Sequence, residues 1–223
     1  VGSEMCIRDR PCRLPYELIS SKDSIIDKGY LLSPRDLCGL DFLPELSKIG
    51  VSCLKIEGRM KTPEYVATVT RIYRKYLDNC KGKNGTDPKL HFDKDKHDLL
   101  QVFNRGGFST GHLSSMPNKH FVYPDKSNNM GIFLGKVSNF NNTKGYVSFT
   151  TADDLSIGNK IGIENKNHET SLYTISELMI DGKNSPHASS GNKVTIGRMK
   201  GNIFVGNSIY KMFDKNLAST AIS

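Results

Sequence analysis

The sequence predicts an α/β region followed by an all-β region. Three observations carry this. From Cys12 to Asn79, stretches of strand character alternate with stretches that carry helix caps and helical spacing, the order of a parallel α/β sheet or barrel. From Met130 onward, short β-type runs recur between Gly, Asn and Asp, which points to a small antiparallel β-barrel. Between the two regions, KGKNGTDP at 81–88 has the composition of a linker.

Residues 1–10 carry neither periodicity nor a cap, and they resemble a translated sequencing-adapter segment, so they read as non-native. The first native elements are expected in CRLPYELISSKDSII, residues 12–26, as short strands around a Ser/Lys/Asp turn. A further strand is expected at 29–32. Ser33-Pro34-Arg35-Asp36 reads as a helix start, with Leu37, Leu40, Leu43 and Leu46 at helical spacing, Pro44 as a kink and Gly50 as the stop.

The most informative stretch is VSCLKIEGRMKTPEYVATVTRIYRKYL, residues 51–77. Leu54 and Ile56 alternate with Lys55, Glu57 and Arg59, so a strand over 51–57 would put the three charges on one face. Gly58 stands where a sharp turn would leave that strand. Thr62 is a natural N-cap, with Pro63 at the first helical position and Glu64 in the first turn. Tyr65, Val66, Val69, Ile72, Tyr73, Tyr76 and Leu77 then share a face. In α/β folds ligands gather at strand C-termini, which makes Lys55, Glu57 and Arg59 candidate functional residues. The same row also suits an ordinary solvated strand end with local ion pairs.

Asp93 is expected to cap a helix through Phe103 that buries Leu99, Leu100, Val102 and Phe103. The following NRGGFSTGH, residues 104–112, has three glycines in six residues and calls for positive φ or a close approach. It is neither a P-loop nor a GxGxxG fingerprint. Six β-type runs follow between 131 and 213, with DLSIGNK at 154–160 as a turn entering a barrel strand.

Charge and cysteine usage narrow the chemistry. The net charge is +8 and the pI about 9.2, which suits a polyanion such as RNA. Within 54–83, Lys55, Arg59, Lys61, Arg71, Arg74, Lys75, Lys81 and Lys83 face only Glu57, Glu64 and Asp78. The five cysteines are widely spaced, with no CxxC pair, so neither a disulfide framework nor a zinc ribbon is expected. No run is apolar enough to span a membrane and no secretory h-region is visible, which gives a cytoplasmic expectation without membrane partners. Neither HExxH nor GxSxG occurs, and the histidines lack metal-ligand spacing.

Taken together, CRLPYEL (12–18), GYLLSPRDLC (29–38), LKIEGRMKTPEYVATVTRIYRKYLD (54–78) and FNRGGFSTGH (103–112) resemble the collagenase-like peptidase family U-32. The resemblance implies the C-terminal part of a TIM-like barrel over 11–83, a connecting helix and glycine-rich segment over 84–128, a small antiparallel β-barrel over 129–215 and a truncated tail at 216–223. It also implies a piece of a longer protein. Relatives carry either a peptidase label or a role in RNA base hydroxylation, as 5-hydroxycytidine in 23S rRNA or 5-hydroxyuridine in tRNA. The tRNA branch depends on prephenate. Several relatives hold a [4Fe–4S] cluster on four cysteines. Here Cys12 matches one ligand position, Arg8 stands where its partner would be, and Cys38 matches a further one.

The expected roles follow from this resemblance. Lys55 and Arg59 bind an anion, RNA phosphate or a dicarboxylate co-substrate, and Glu57 orients them or exchanges a proton. Lys61, Tyr65, Asn104 and Arg105 border the same site. Proteolysis is the alternative, and a non-catalytic role in which the β-barrel docks on RNA or the ribosome is a third.

Overall fold

Alternating polar and aliphatic residues produce a first hairpin, in which β1 (Tyr16–Ile19) pairs antiparallel with β2 (Ile25–Gly29) around a turn closed by the Ser20 and Ser24 hydroxyls 2.6 Å apart. These details come from a computed structural model, which describes residues 10–81, 91–114 and 121–222. Of the linker expected at 81–88, Lys81 ends a helix instead, and 82–88 lie outside the described residues, as do residues 1–9 with Arg8. The chain forms two compact units. One comprises 1–57, 69–92 and 103–130, and the other comprises 58–68, 93–102 and 131–223.

In the first unit, the helix expected to start at Ser33 is not formed. Asp36–Leu37 is instead a short strand, β3, running parallel to β4 (Phe108–Ser109), and Pro34 bridges to Val122. A 3-10 turn at Leu40–Phe42 leads into α1 (Leu43–Lys48). Pro44 therefore does not kink a long helix. It occupies the first turn of a short one, where a missing N–H costs nothing. Gly50, at φ 86, ends it as expected.

The strand expected over 51–57 is also absent: these residues have no strand assignment. A strand persists where a neighbour takes up its N–H and C=O groups, and no described strand pairs with this segment. Its alternation survives even so, with Lys55, Glu57 and Arg59 exposed and Leu54, Ile56 and Gly58 half-buried. Gly58 is not the positive-φ residue of the turn. That is Met60, at φ 61. Gly58 packs closely instead: a Cβ there would crowd Val66 Cγ2 at 3.0 Å.

α2 (Pro63–Lys81) starts as the sequence dictates, with Thr62 Oγ1 accepting from the Tyr65 N–H at 3.4 Å. Val69, Ile72 and Tyr76 are buried, whereas Val66 is turned to solvent. α3 (Phe92–Val102) begins one residue before Asp93, which sits in its first turn rather than capping it. Leu99 is buried as expected, but so are Asp95 and Gln101, while Leu100, Val102 and Phe103 are only half-buried.

The second unit is dominated by antiparallel sheet. Strands β5 (Ile132–Lys136), β9 (Lys160–Glu164), β10 (Thr170–Thr174) and β15 (Ser208–Phe213) form one sheet in the order β10-β9-β15-β5. Strands β6 (Asn139–Asn141), β7 (Tyr146–Thr150), β11 (Leu178–Ile180), β12 (Lys183–Asn184) and β14 (Lys193–Ile196) form a second, in the order β12-β11-β14-β7-β6. A ribbon joins β8 (Leu155–Ser156) to β13 (His187–Ala188). The inward residues of these strands make one apolar core, including Leu134, Val147, Phe149, Ile161, Val194, Ile196 and Ile209, all fully buried. The chain ends in α4 (Lys215–Ile222), where only a tail was expected. Asp214 caps it by accepting from the Asn216 and Leu217 N–H groups at 2.9 and 3.1 Å. Among the described residues, no helix is long and apolar enough to cross a membrane.

Candidate functional site

The charged row splits between the units: Lys55 and Glu57 belong to the first, Arg59, Lys61 and Tyr65 to the second. Lys55 and Glu57 are exposed on an extended segment beside half-buried Leu54 and Ile56. In the second unit, the turn at Gly58–Lys61 is closed by the Lys61 N–H donating to the Gly58 carbonyl at 3.0 Å. It leaves Arg59 exposed and puts Lys61 Nζ 5.1 Å from the Tyr65 ring centroid, a cation–π contact. One turn on, Glu64 sits at the helix N-terminus. Its own backbone N–H and the Thr62 hydroxyl hold its carboxyl below the usual range. Within the second unit, exposed Arg59 offers bidentate geometry for an oxyanion.

Asn104 and Arg105 open the glycine-rich segment of the first unit, and their partners there are internal. Asn104 is buried; its Oδ1 accepts from the Gly107 N–H at 3.1 Å and its N–H donates to Asn129 Oδ1 at 3.0 Å. Arg105 pairs with Asp36 at 2.6 Å, donates to the Ser127 carbonyl at 3.1 Å and lies 4.6 Å from the Phe103 ring. Gly106, Gly107 and Gly111 all have positive φ, as their spacing implied. At Gly106 the reason is visible, since a Cβ would lie 2.4 Å from the Tyr123 ring.

Sequence reasoning missed two arginines beside this loop. Arg13 donates to Ser33 Oγ and the Pro34 carbonyl at 2.6 and 2.8 Å, and burial together with nearby Arg105 lowers its pKa. Arg35 lies over the Tyr123 ring at 5.4 Å. Both stand inside the quoted motifs, CRLPYEL and SPRDL, which was the available signal.

A second polar centre, also unforeseen, lies within the β unit. Lys211, with only 2% of its side chain exposed, pairs with Asp153 at 2.8 Å and Asp214 at 3.1 Å and donates to the Asp154 carbonyl at 2.9 Å. Asp153 also meets His97 of α3 at 3.1 Å, and Gln101 of the same helix donates to the Lys211 carbonyl at 3.0 Å. Burial alone would raise the Asp153 pKa; the bonds from His97 and Lys211 overcome it and hold the carboxyl well below its usual range. The same bond to Asp153 raises His97 against the opposing effect of burial. This network ties α3 to β15.

The cysteines proposed as metal ligands differ in setting. Cys12 is exposed, whereas Cys38 is buried, with the Tyr73 hydroxyl 4.0 Å from its sulfur and also accepting from the Gly39 N–H at 3.0 Å. Among the described residues, no three His, Cys, Asp or Glu side chains come together as a metal site. A [4Fe–4S] cluster takes four thiolates, and Cys12 and Cys38 would give it two.

Comparison with known proteins places these motifs. The sequence model of Peptidase family U32 matches residues 4–122, more than half of the chain. The chain belongs to Peptidase family U32. An uncharacterized protease of Methanocaldococcus jannaschii is 31% identical, over 84% of this chain and 47% of that protein. A collagenase of Porphyromonas gingivalis is 28% identical, over 92% of this chain and 50% of that protein. The 23S rRNA 5-hydroxycytidine synthase of Escherichia coli is 29% identical, over 56% of this chain and 20% of that protein. The chain thus spans about half the length of the two protease-named relatives.

Proposed function

We propose that the protein to which this U32 chain belongs takes part in hydroxylation of an RNA base, a cytidine of 23S rRNA or a uridine of tRNA, in the cytoplasm. The observation that carries the reading is exposed Arg59 with Lys61 over Tyr65 in the second unit, in a chain of net charge +8 that also exposes Lys55 in the first. Such a surface attracts RNA phosphate. A relative named for rRNA hydroxycytidine synthesis, matching over more than half of the chain, supports the same direction. In this reading the first unit contributes to an α/β barrel. Lys55 and Arg59 hold phosphate or a dicarboxylate co-substrate such as prephenate, and Glu57 orients them. Cys12 and Cys38 are the two thiolates this chain would give to a [4Fe–4S] cluster when bound.

The test is to express the complete reading frame in a host lacking its own RNA hydroxylation proteins and to weigh the nucleosides of its rRNA and tRNA. A hydroxylated cytidine or uridine that disappears with Lys55→Ala or Arg59→Ala supports the proposal. Unmodified RNA from a folded, expressed protein overturns it.

A second reading, peptide hydrolysis, is favoured by one observation: the relatives aligned over 84% and 92% of the chain carry protease and collagenase names. Cleavage of denatured collagen by the same purified protein, alongside unmodified RNA, would establish it instead.

A further inference from the structure

Within the β unit, the segment from Arg198 to Gly206 is held in place at every second or third residue, yet it presents apolar side chains to water. Met199 and Ile203 are buried anchors, and so is Asn207, just beyond the segment. The Met199 N–H donates to the Gly145 carbonyl at 2.9 Å, and the Gly206 N–H donates to the Val137 carbonyl at 2.8 Å. Asn207 fixes the tip from within, its Oδ1 accepting from the Phe204 N–H at 2.9 Å. The Tyr173 hydroxyl donates to the Lys200 carbonyl at 2.6 Å. Between these ties, Phe204 is 61% exposed and Val205 64%. A loop this constrained does not leave an aromatic ring in water for want of order. Displaying it forgoes burial that the neighbouring core would reward.

Exposed cations stand on the same segment and on the turn bonded to it. Arg198 and Lys200 are exposed on the same segment, and Arg198 is held at φ 64, a conformation uncommon for a residue with a Cβ. Lys144 is exposed on the adjoining turn. Gly145 locks that turn against the segment, since a Cβ there would lie 2.7 Å from the Met199 carbonyl oxygen. Glu177, beside Gly197, is half-buried and takes the Tyr146 hydroxyl at 3.3 Å.

We infer that the Arg198–Gly206 loop with Lys144 is a contact surface for single-stranded RNA, in which a base stacks on Phe204 and the backbone phosphates lie along Lys144, Arg198 and Lys200. A rigid aromatic platform flanked by cations is the arrangement that binds unpaired nucleotides: stacking tolerates any base and the cations track the phosphates. Charge complementarity selects this occupant over a protein or a second copy of the chain. The inference rests on the RNA reading above but names a surface separate from Lys55, Glu57 and Arg59.

The experiment is fluorescence anisotropy of the full chain with a short labelled single-stranded RNA of mixed sequence, across a salt series. Phe204→Ala is expected to weaken binding about tenfold with the salt slope unchanged. Lys144→Ala with Lys200→Ala is expected to lower the log–log salt slope by about 1.4, two phosphate contacts on a single strand. Leu172→Ala, which removes another apolar side chain, 66% exposed on β10, is expected to change nothing. Circular dichroism checks that each variant keeps its fold. Wild-type binding left intact by Phe204→Ala, or weakened equally by Leu172→Ala, overturns the loop assignment and leaves the RNA reading standing. No binding by the wild-type chain overturns both. Self-association that Phe204→Ala abolishes, with RNA affinity unchanged, makes the loop an interface between copies and also overturns the assignment.

Discussion

The two units satisfy their apolar residues in opposite ways. In the β unit, Phe149, Leu134, Ile161 and Val194 are fully buried in one continuous core. In the first unit, Leu14, Leu18, Ile19, Ile25, Ile26, Leu32, Leu37 and Ile49 are all more than half exposed. The β1–β2 pair is a two-stranded hairpin, β3 and β4 are two residues each, and 51–57 is extended with no described strand beside it. The difference shows that hydrophobic alternation specifies a strand face, but only a neighbouring strand and a covering layer convert it into stability. The β unit contains both within 131–213. The first unit has the sequence of a sheet with few of the pairings.

This contrast can be broken or sharpened by mutation, beginning where the expected effect is largest. Lys211→Ala should destabilise the β unit by about 2–4 kcal/mol, because it leaves the half-buried carboxylates of Asp153 and Asp214 without the Lys211 cation. Peptide-resolved hydrogen exchange should show the loss in β5, β9 and β15. A loss under about 1 kcal/mol would mean that the network adds little to the core.

Acid should act on the same network. Asp153 is held below its unfolded value, so its contribution is complete above about pH 4 and is lost as pH falls from there toward the depressed folded value. His97 is raised, so its part is complete below about pH 6.5 and fades as pH climbs through the raised folded value. Thermal midpoints measured against pH should fall on the acid side, and Asp153→Asn should flatten that limb.

Gly106→Ala in the first unit should cost about 1–3 kcal/mol, since φ 77 and the Tyr123 ring both oppose a Cβ. Gly182→Ala, at φ 78 with nothing within 4 Å, isolates the backbone cost alone. Proteolysis at the 104–112 segment would report the difference. Tyr73→Phe should cost about 0.5–1.5 kcal/mol, by removing the acceptor for the Gly39 N–H and the donor to Cys38. Smallest of all, Ile26→Ser should stay within about 0.5 kcal/mol, because 63% of that residue is already in water. A larger loss measured by urea titration would show that the hairpin face is covered in solution and would erase the contrast between the units.

Read by itself, the sequence determined whatever depends on local chemistry. Thr62-Pro63-Glu64 starts α2 because a hydroxyl cap, a fixed φ and a carboxylate in the first turn all act within four residues. Gly50 and the glycines at 106, 107 and 111 were legible because φ > 0 is a local demand. The β-type runs after Met130 were legible because alternation and turn residues recur at short range, and the motifs were enough to indicate Peptidase family U32.

What the tertiary structure decided depends on distant partners. Ser33-Pro34-Arg35-Asp36 carries a helix-start signal, yet Asp36–Leu37 pairs with Phe108–Ser109, some seventy positions away, and Arg105 takes the Asp36 carboxylate. Residues 51–57 have a strand pattern but no strand pairing, which no local rule can reveal. Nothing in the run NSIYKMF marks Lys211 as buried. Its burial between Asp153 and Asp214, and through Asp153 its link to His97, exists only once α3 lies on β15. The display of Phe204 is decided in the same way. The hydrogen bonds of Asn207 and Tyr173 are what hold its loop with the ring in water.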